Sequence, residues 1–292
     1  GFRPAQTLIS VPYMLSEGAW LANIVPVLGE PWIFTQEFPL YQWLVAALFQ
    51  VGLPLESAGR LVSAFFTLVC VGPVYLIAST LDPANRVRTT LFVSTLWLLA
   101  PPVLFWGRST LIESTVVFLS LAWLAFYIRF VGTGRWLPWV LCVVLGALAA
   151  TVKITAFAGF VMAGLMFTLH FMFTQRRELL RYGVRLAAAL LCVIVPAIAL
   201  VVWSNWTSEA WKLNPLASQL LVSNMPQWYF GNLDDRLTPP LWTWAIMGRA
   251  LPNIFGSAWT LLAVAAIVMA IFAERLRLAL SLVACFLIGF LV

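Results

Sequence analysis

Charge is scarce in this 292-residue chain: charged residues make up 10% of it, with one histidine, His170, and two lysines, Lys153 and Lys212. Such scarcity, with 62% hydrophobic residues and a mean hydropathy of +0.95, excludes an ordinary soluble domain. Cysteine is also sparse. Cys70, Cys142, Cys192 and Cys285 all fall inside apolar runs and none has metal-ligand spacing, so neither a disulfide framework nor a zinc site is indicated. No Gly-rich phosphate loop, Walker motif or nucleophile elbow occurs, which leaves a cytosolic nucleotide-using enzyme unsupported. Internal repeats and low-complexity linkers are absent too.

What the chain has is apolar length. Stretches at 57–81, 89–107, 114–131, 136–152, 154–174, 186–204, 254–273 and 278–292 read as membrane spans, since roughly 17–25 apolar residues cross a ~30 Å hydrocarbon core. The expected fold is an all-α polytopic membrane bundle. Its last residues, Phe286 to Val292, stop inside an apolar run. The chain is therefore expected to be a fragment, with helices preceding Gly1 and following Val292.

Walking the spans sends ten of the seventeen basic residues to one side: Arg86, Arg88, Arg129, Arg135, Arg176, Arg177, Arg181, Arg185, Arg275 and Arg277. Only Asp82, Glu178 and Glu274 accompany them, in short connections. The positive-inside rule makes that side cytoplasmic. The formal charge of +6 then reports topology, and nucleic acid is not an expected partner. Residues 38–54 are apolar but short, bounded by Pro39 and Pro54. Crossing would set Glu37 apart from Arg108 and Lys153. Lying along the surface as an interfacial helix would put all three on one face, and this second arrangement is preferred.

The organisation that follows has an extracytoplasmic segment 1–56 with interfacial helices, membrane helices over 57–204, an aromatic extracytoplasmic loop 205–253, and further membrane helices over 254–292. Trp206, Trp211, Trp228, Tyr229, Trp242 and Trp244 crowd that loop. They read as an interfacial belt, or else as a half-buried lid guiding a lipid tail or an acceptor.

A few ionisable residues are candidates for chemistry. Glu37, just before a Pro-started apolar helix, can accept a proton, hold a divalent cation or cap helix N–H groups. Arg108 and Glu113 flank a turn between spans, forming either an ion pair with each other or, through the guanidinium, a phosphate contact. Lys153 interrupts two apolar stretches. An ionisable group at such depth is a functional candidate, set against snorkelling toward the headgroups. Glu56 and Arg60, four apart, are placed to pair. His170 reads as a packed or interfacial histidine.

At these residues the chain resembles a GT-C class glycosyltransferase of the polyprenyl-phosphate-sugar type, the group that includes protein O-mannosyltransferases and the lipid A aminoarabinose transferase. Glu37-Phe38-Pro39-Leu40-Tyr41-Gln42-Trp43 is similar to the family's carboxylate followed by a Pro-Pro-Leu-Tyr-like run and an aromatic. Arg60-Leu61 matches an Arg-Leu helix opening, Arg108 and Glu113 the charged pair between later spans, and Lys153 a lysine in the following hairpin. The resemblance covers about residues 2–160. It implies transfer of a hexose or pentose, with inversion, from a polyprenyl-phosphate donor to a lipid, glycan or protein acceptor. The reaction would take place on the extracytoplasmic face of a bacterial inner (plasma) membrane, in service of the cell envelope.

In that scheme Glu37 is the catalytic base or a ligand of a magnesium-like ion. Lys153, Arg108, Glu113, Gln6 and Arg60 are the expected substrate-binding residues, and no nucleotide cofactor is expected. One departure stands out. Phe2-Arg3-Pro4-Ala5-Gln6-Thr7-Leu8 aligns with a segment in which relatives carry an acid, so Gln6 stands at the acid's place. Glutamine cannot be a base. Glu37 or Glu17 takes the role, or the alignment is off, or the member is inactive. The competing function is a non-catalytic or transport protein of the same build, such as a lipid-linked sugar flippase or a structural subunit. A transporter would more often show repeat symmetry and paired broken helices.

Overall fold

A computed structural model describes residues 2–26, 29–175, 179–221 and scattered residues from 223 to 248. The stretches at 254–273 and 278–292, and most of the aromatic loop after residue 221, lie outside the described residues. Among the described residues the chain is predominantly α-helical and has no β-strand, only an isolated antiparallel bridge between Ile24 and Ile33. Four helices among the described residues are long and apolar enough to cross a membrane: Leu55–Leu81, Glu113–Thr133, Trp136–Thr174 and Tyr182–Lys212. The protein is a helical membrane protein.

The elements run α1 (Phe2–Glu17), α2 (Leu40–Gln50), α3 (Leu55–Val69), α4 (Val71–Leu81), α5 (Arg86–Leu99), α6 (Pro101–Trp106), α7 (Glu113–Thr133), α8 (Trp136–Thr174), α9 (Leu179–Lys212) and the short α10 (Pro215–Gln219). Cys70 between α3 and α4 keeps helical dihedrals, so the two form one rod of 27 residues, ~40 Å long at 1.5 Å per residue.

The stretch expected to span as 89–107 is instead broken. Ala100 turns extended (φ −62, ψ 130) before Pro101 and Pro102. Proline disfavours helical dihedrals in the residue before it and brings no N–H to the ladder, so α5 stops at Leu99 and α6 is only six residues.

Lys153 marks the sharpest event in the fold. Its dihedrals (φ −166, ψ 96) are extended inside α8. Trp123 of α7 shows that the chain turns back there. A methyl group on Gly146 would lie 2.6 Å from Trp123 Cδ1, and one on Gly164 would lie 2.9 Å from Trp123 Cη2. On a straight helix those two glycines would stand ~27 Å apart, so they must belong to two arms of a hairpin whose tip is Lys153. The missing Cβ at both positions is what admits the indole between the arms.

Lipid tails are as apolar as the side chains they replace, so such helices associate through packing and interhelical hydrogen bonds, the latter averaging ~0.6 kcal/mol each. Trp123 Nε1 donates to Cys192 O (3.1 Å), Tyr127 and Thr168 hydroxyls meet at 2.7 Å, and Trp139 Nε1 donates to Ala188 O (2.9 Å). These bonds tie α7, both arms of α8 and α9 into one bundle around the fully buried Trp123 and Tyr127. α7 ends at Gly134, whose left-handed φ of 70° closes the helix with a 2.7 Å bond to Phe130 O.

Candidate functional site

The direction of each rod places the ends. Ser63 Oγ of α3 lies 3.1 Å from Leu111 O, and Thr67 Oγ1 lies 3.3 Å from Gly107 O. The connection 107–112 thus hangs on α3 and delivers Glu113 to the first turn of α7, where the helix dipole favours a carboxylate. The hairpin delivers Lys153 to the same place. Lys153 Nζ donates to Glu113 Oε1 at 2.7 Å, with side chains 21% and 34% exposed.

Residues 20–38 arrive from a third direction. They have almost no regular structure, and their backbone bonds are local: Val25 N to Trp32 O (2.7 Å) and Phe34 N to Asn23 O (2.8 Å). Thr35, fully buried, accepts from Asn23 N through Oγ1 at 2.7 Å. Phe38 N then donates to Thr151 O at 3.0 Å, two residues before the hairpin tip. Glu37 is therefore set beside the Lys153 turn by backbone attachment on its own C-terminal side.

These pieces enclose a small polar cleft lined by Gln6, Thr7, Asn23, Gln36, Glu37, Gln42 and Glu113, with Val25, Phe34, Leu111 and Ile112 as its apolar wall. Its volume of about 30 Å³ admits little more than one water-sized group. Asn23 Oδ1 and Gln42 Oε1 are buried and have no hydrogen-bond partner among the described residues. Beneath it, Tyr41 donates to Gly59 O (2.8 Å) and lies 3.2 Å from Ser63 Oγ. Burial pushes the Tyr41 phenol up to about 12; the Ser63 hydroxyl pulls it down in part, and the Glu113 charge adds to the rise. Tyr41 is thus a neutral donor.

On the other side of Glu113 lies a second space, of about 930 Å³ and mostly apolar, walled by Trp97, Pro102, Val103, Phe105, Trp106 and Val117, with Pro4 and Thr67 at its margins. Leu111 and Glu113 line both spaces. A large hydrophobic cavity and a polar cleft therefore meet at one carboxylate, itself bonded to a lysine.

Of the residues singled out in the sequence, Glu37, Gln6 and Glu113 line the cleft, and Lys153 touches it through Glu113. Arg108 is exposed and makes no ion pair among the described residues; Gly107 and Ser109 on either side of it line the apolar cavity. The partner of Glu113 is Lys153, forty residues on. Arg60 pairs with Glu56 at 2.6 Å in an exposed bridge and is absent from the cleft lining, as is the exposed Glu17. Asn23, Gln36 and Gln42 line the cleft without having been singled out. Gln42 did carry a signal, as a polar residue within the apolar run Leu40–Phe49.

Among the described residues no three His, Cys, Asp or Glu side chains come together, and Glu113 already gives one oxygen to Lys153. The oxygen atoms of the cleft are of the type a hard divalent cation takes; Glu37, with the buried, unpartnered Asn23 Oδ1 and Gln42 Oε1, would be the residues to hold one. Comparison of the chain with protein-family models, with curated proteins and with solved structures finds no match in any of the three.

Proposed function

We propose that this protein is a membrane glycosyltransferase that moves a sugar from a polyprenyl-phosphate donor to an acceptor on the extracytoplasmic side, with inversion. The observation that carries the reading is the meeting of the two spaces at Glu113. A long apolar tail suits the 930 Å³ cavity between α3, α5, α6 and α7, and its charged head would stop where Glu113 and Lys153 face each other. A phosphate entering there competes with the Glu113 carboxylate for the Lys153 ammonium. Exposed Arg108, beside the cavity wall, adds a second cation at its mouth.

Transfer then needs a base and a stabilised leaving group. The acceptor O–H or N–H attacks the anomeric carbon, the C–O bond to the lipid phosphate breaks, and the phosphate leaves with the bonding pair against Lys153. Glu37, in the polar cleft, takes the acceptor proton. The narrowness of the cleft suits a single reacting group, with the rest of the acceptor outside.

A second reading, a catalytically silent or transport protein of the same build, is favoured by one observation. Gln6 lines the cleft where an acid would be expected from the resemblance. The test is sugar transfer from a polyprenyl-phosphate donor in liposomes. Wild type is expected to turn over, and Glu37→Gln to lose about 10²–10⁴-fold in kcat while retaining donor binding. Full activity in Glu37→Gln removes the assigned base. A silent wild type that gains turnover in Gln6→Asp identifies a silenced transferase, and silence in both favours transport.

A further inference from the structure

The segment that carries Glu37 is held from one direction by one helix. Trp211 Nε1 of α9 donates to Thr35 O at 2.6 Å, and Trp203 Nε1 donates to Gln36 O at 3.1 Å. Just beyond α9, Asn214 Nδ2 lies 3.2 Å from both Gly29 O and Ile33 O, while its Oδ1 accepts from Leu216 N and Ala217 N. Each of these side-chain donors comes from residues 203–214, and each acceptor is a carbonyl within residues 29–36.

The rings reinforce the bonds. Trp211 stacks on Phe34 (4.8 Å, 20°), and Trp203 meets Phe38 edge-on at 5.1 Å. Trp211 is 6% exposed and Asn214 fully buried, so these are not headgroup-facing belt residues. A segment with one isolated bridge has few carbonyl partners of its own, and buried carbonyls require them. The end of α9 supplies them on the N-terminal side of Glu37. The Phe38 N bond to Thr151 O supplies the attachment on the other side.

We propose that Trp211 and Trp203 are positioning residues that fix the Glu37 carboxylate in the polar cleft, referencing it through α9 to the hairpin that presents Lys153. This rests on the reading of Glu37 as the base.

The test compares full-length Trp211→Phe with Trp139→Phe. Phenylalanine keeps an aromatic ring in place and deletes the indole N–H. In Trp139 that N–H bonds Ala188 O at 2.9 Å, and Trp139 is not among the residues that line the cleft. Hydrogen–deuterium exchange of the peptide covering residues 23–38 is read first, since it requires no turnover. Exchange at least tenfold faster in Trp211→Phe, and unchanged in Trp139→Phe, is expected; equal exchange in the two variants overturns the proposal. Transfer kinetics are read second. Trp211→Phe is expected to lower kcat about tenfold with donor KM within twofold of wild type, and Trp139→Phe to leave both unchanged. Faster exchange with unaltered kcat overturns the positioning role. A wild type without transfer counts against the glycosyltransferase reading alone, and the exchange result still decides whether α9 holds the segment.

Discussion

At the end of the bundle that carries the cleft, ionised side chains meet one another and the backbone is held by indoles: Lys153 bonds Glu113, and Trp203 and Trp211 bond residues 35 and 36. At the far end, Arg86 and Arg88 stand exposed in the first turn of α5 and Arg135 in the connection between α7 and α8. Arg185 is engaged there, donating to Val131 O and Gly132 O (3.3 Å each) with its guanidinium 5.0 Å from the Tyr182 ring centre. At the far end one cation serves a helix C-terminus, where a positive charge is favoured. The cleft end brings charge of both signs together at the boundary of an apolar cavity. Equal numbers of charges would not distinguish the ends; the partners they meet do.

The contrast breaks most completely if the ends are not on opposite faces of a membrane. Single cysteines at the exposed positions Ser16 and Ser57 are expected to react with a membrane-impermeant maleimide from one side, and those at Asn85 and Thr133 only from the other. Reaction of Ser57→Cys and Asn85→Cys from the same side would sink the arrangement. Labelling in right-side-out and inverted vesicles supplies the readout.

Next in size is the hairpin that carries Lys153. Gly146→Leu and Gly164→Leu each drive a side chain into Trp123. The expected loss is about 1–3 kcal/mol in unfolding by detergent titration, with the double variant failing to fold. Tolerance of leucine at both positions would mean that the arms do not close on Trp123.

Tyr41 offers a similar magnitude with a pH signature. Its folded pKa is raised from 10.0 to about 12, so the folded state holds the proton more tightly than the unfolded state. Stability from this group is present below pH 10 and is lost as pH rises through 12. The loss amounts to about 2–3 kcal/mol. Tyr41→Phe is expected to remove that alkaline fall, measured by thermal unfolding between pH 9 and 12. An unchanged fall would assign it elsewhere. The smallest effect belongs to the far end: Arg185→Ala uncaps α7 for about 0.5–1 kcal/mol and leaves donor binding intact.

Much of the bundle was legible because apolar length is a local property. Lys153, alone between two apolar runs, announced the turn of the hairpin. Pro101-Pro102 was the local signal for the broken helix after α5, yet hydropathy alone carried the apolar run through it. The cleft was legible in part: Glu37, Glu113 and Gln6 were singled out and line it, whereas Asn23, Gln36 and Gln42 were not. Glu37 and Lys153 stand out because charge is rare, whereas the bond from Lys153 to Glu113 joins residues forty apart and leaves no trace in spacing. Trp211 was invisible for another reason: tryptophan near a membrane surface ordinarily marks an interfacial belt, and only its burial and its N–H direction tell a belt from a brace. Trp203 fell inside the apolar stretch 186–204 and carried no separate signal.

The central claim is that the apolar cavity presents a charged lipid head to Lys153. The direct measurement is binding of a polyprenyl phosphate and of the uncharged polyprenol of equal chain length to the purified protein in nanodiscs. The phosphate is expected to bind at least tenfold more tightly to wild type, and Lys153→Ala is expected to erase most of that ratio while leaving polyprenol binding unchanged. Equal affinity for the two lipids, or a ratio untouched by Lys153→Ala, would contradict the account.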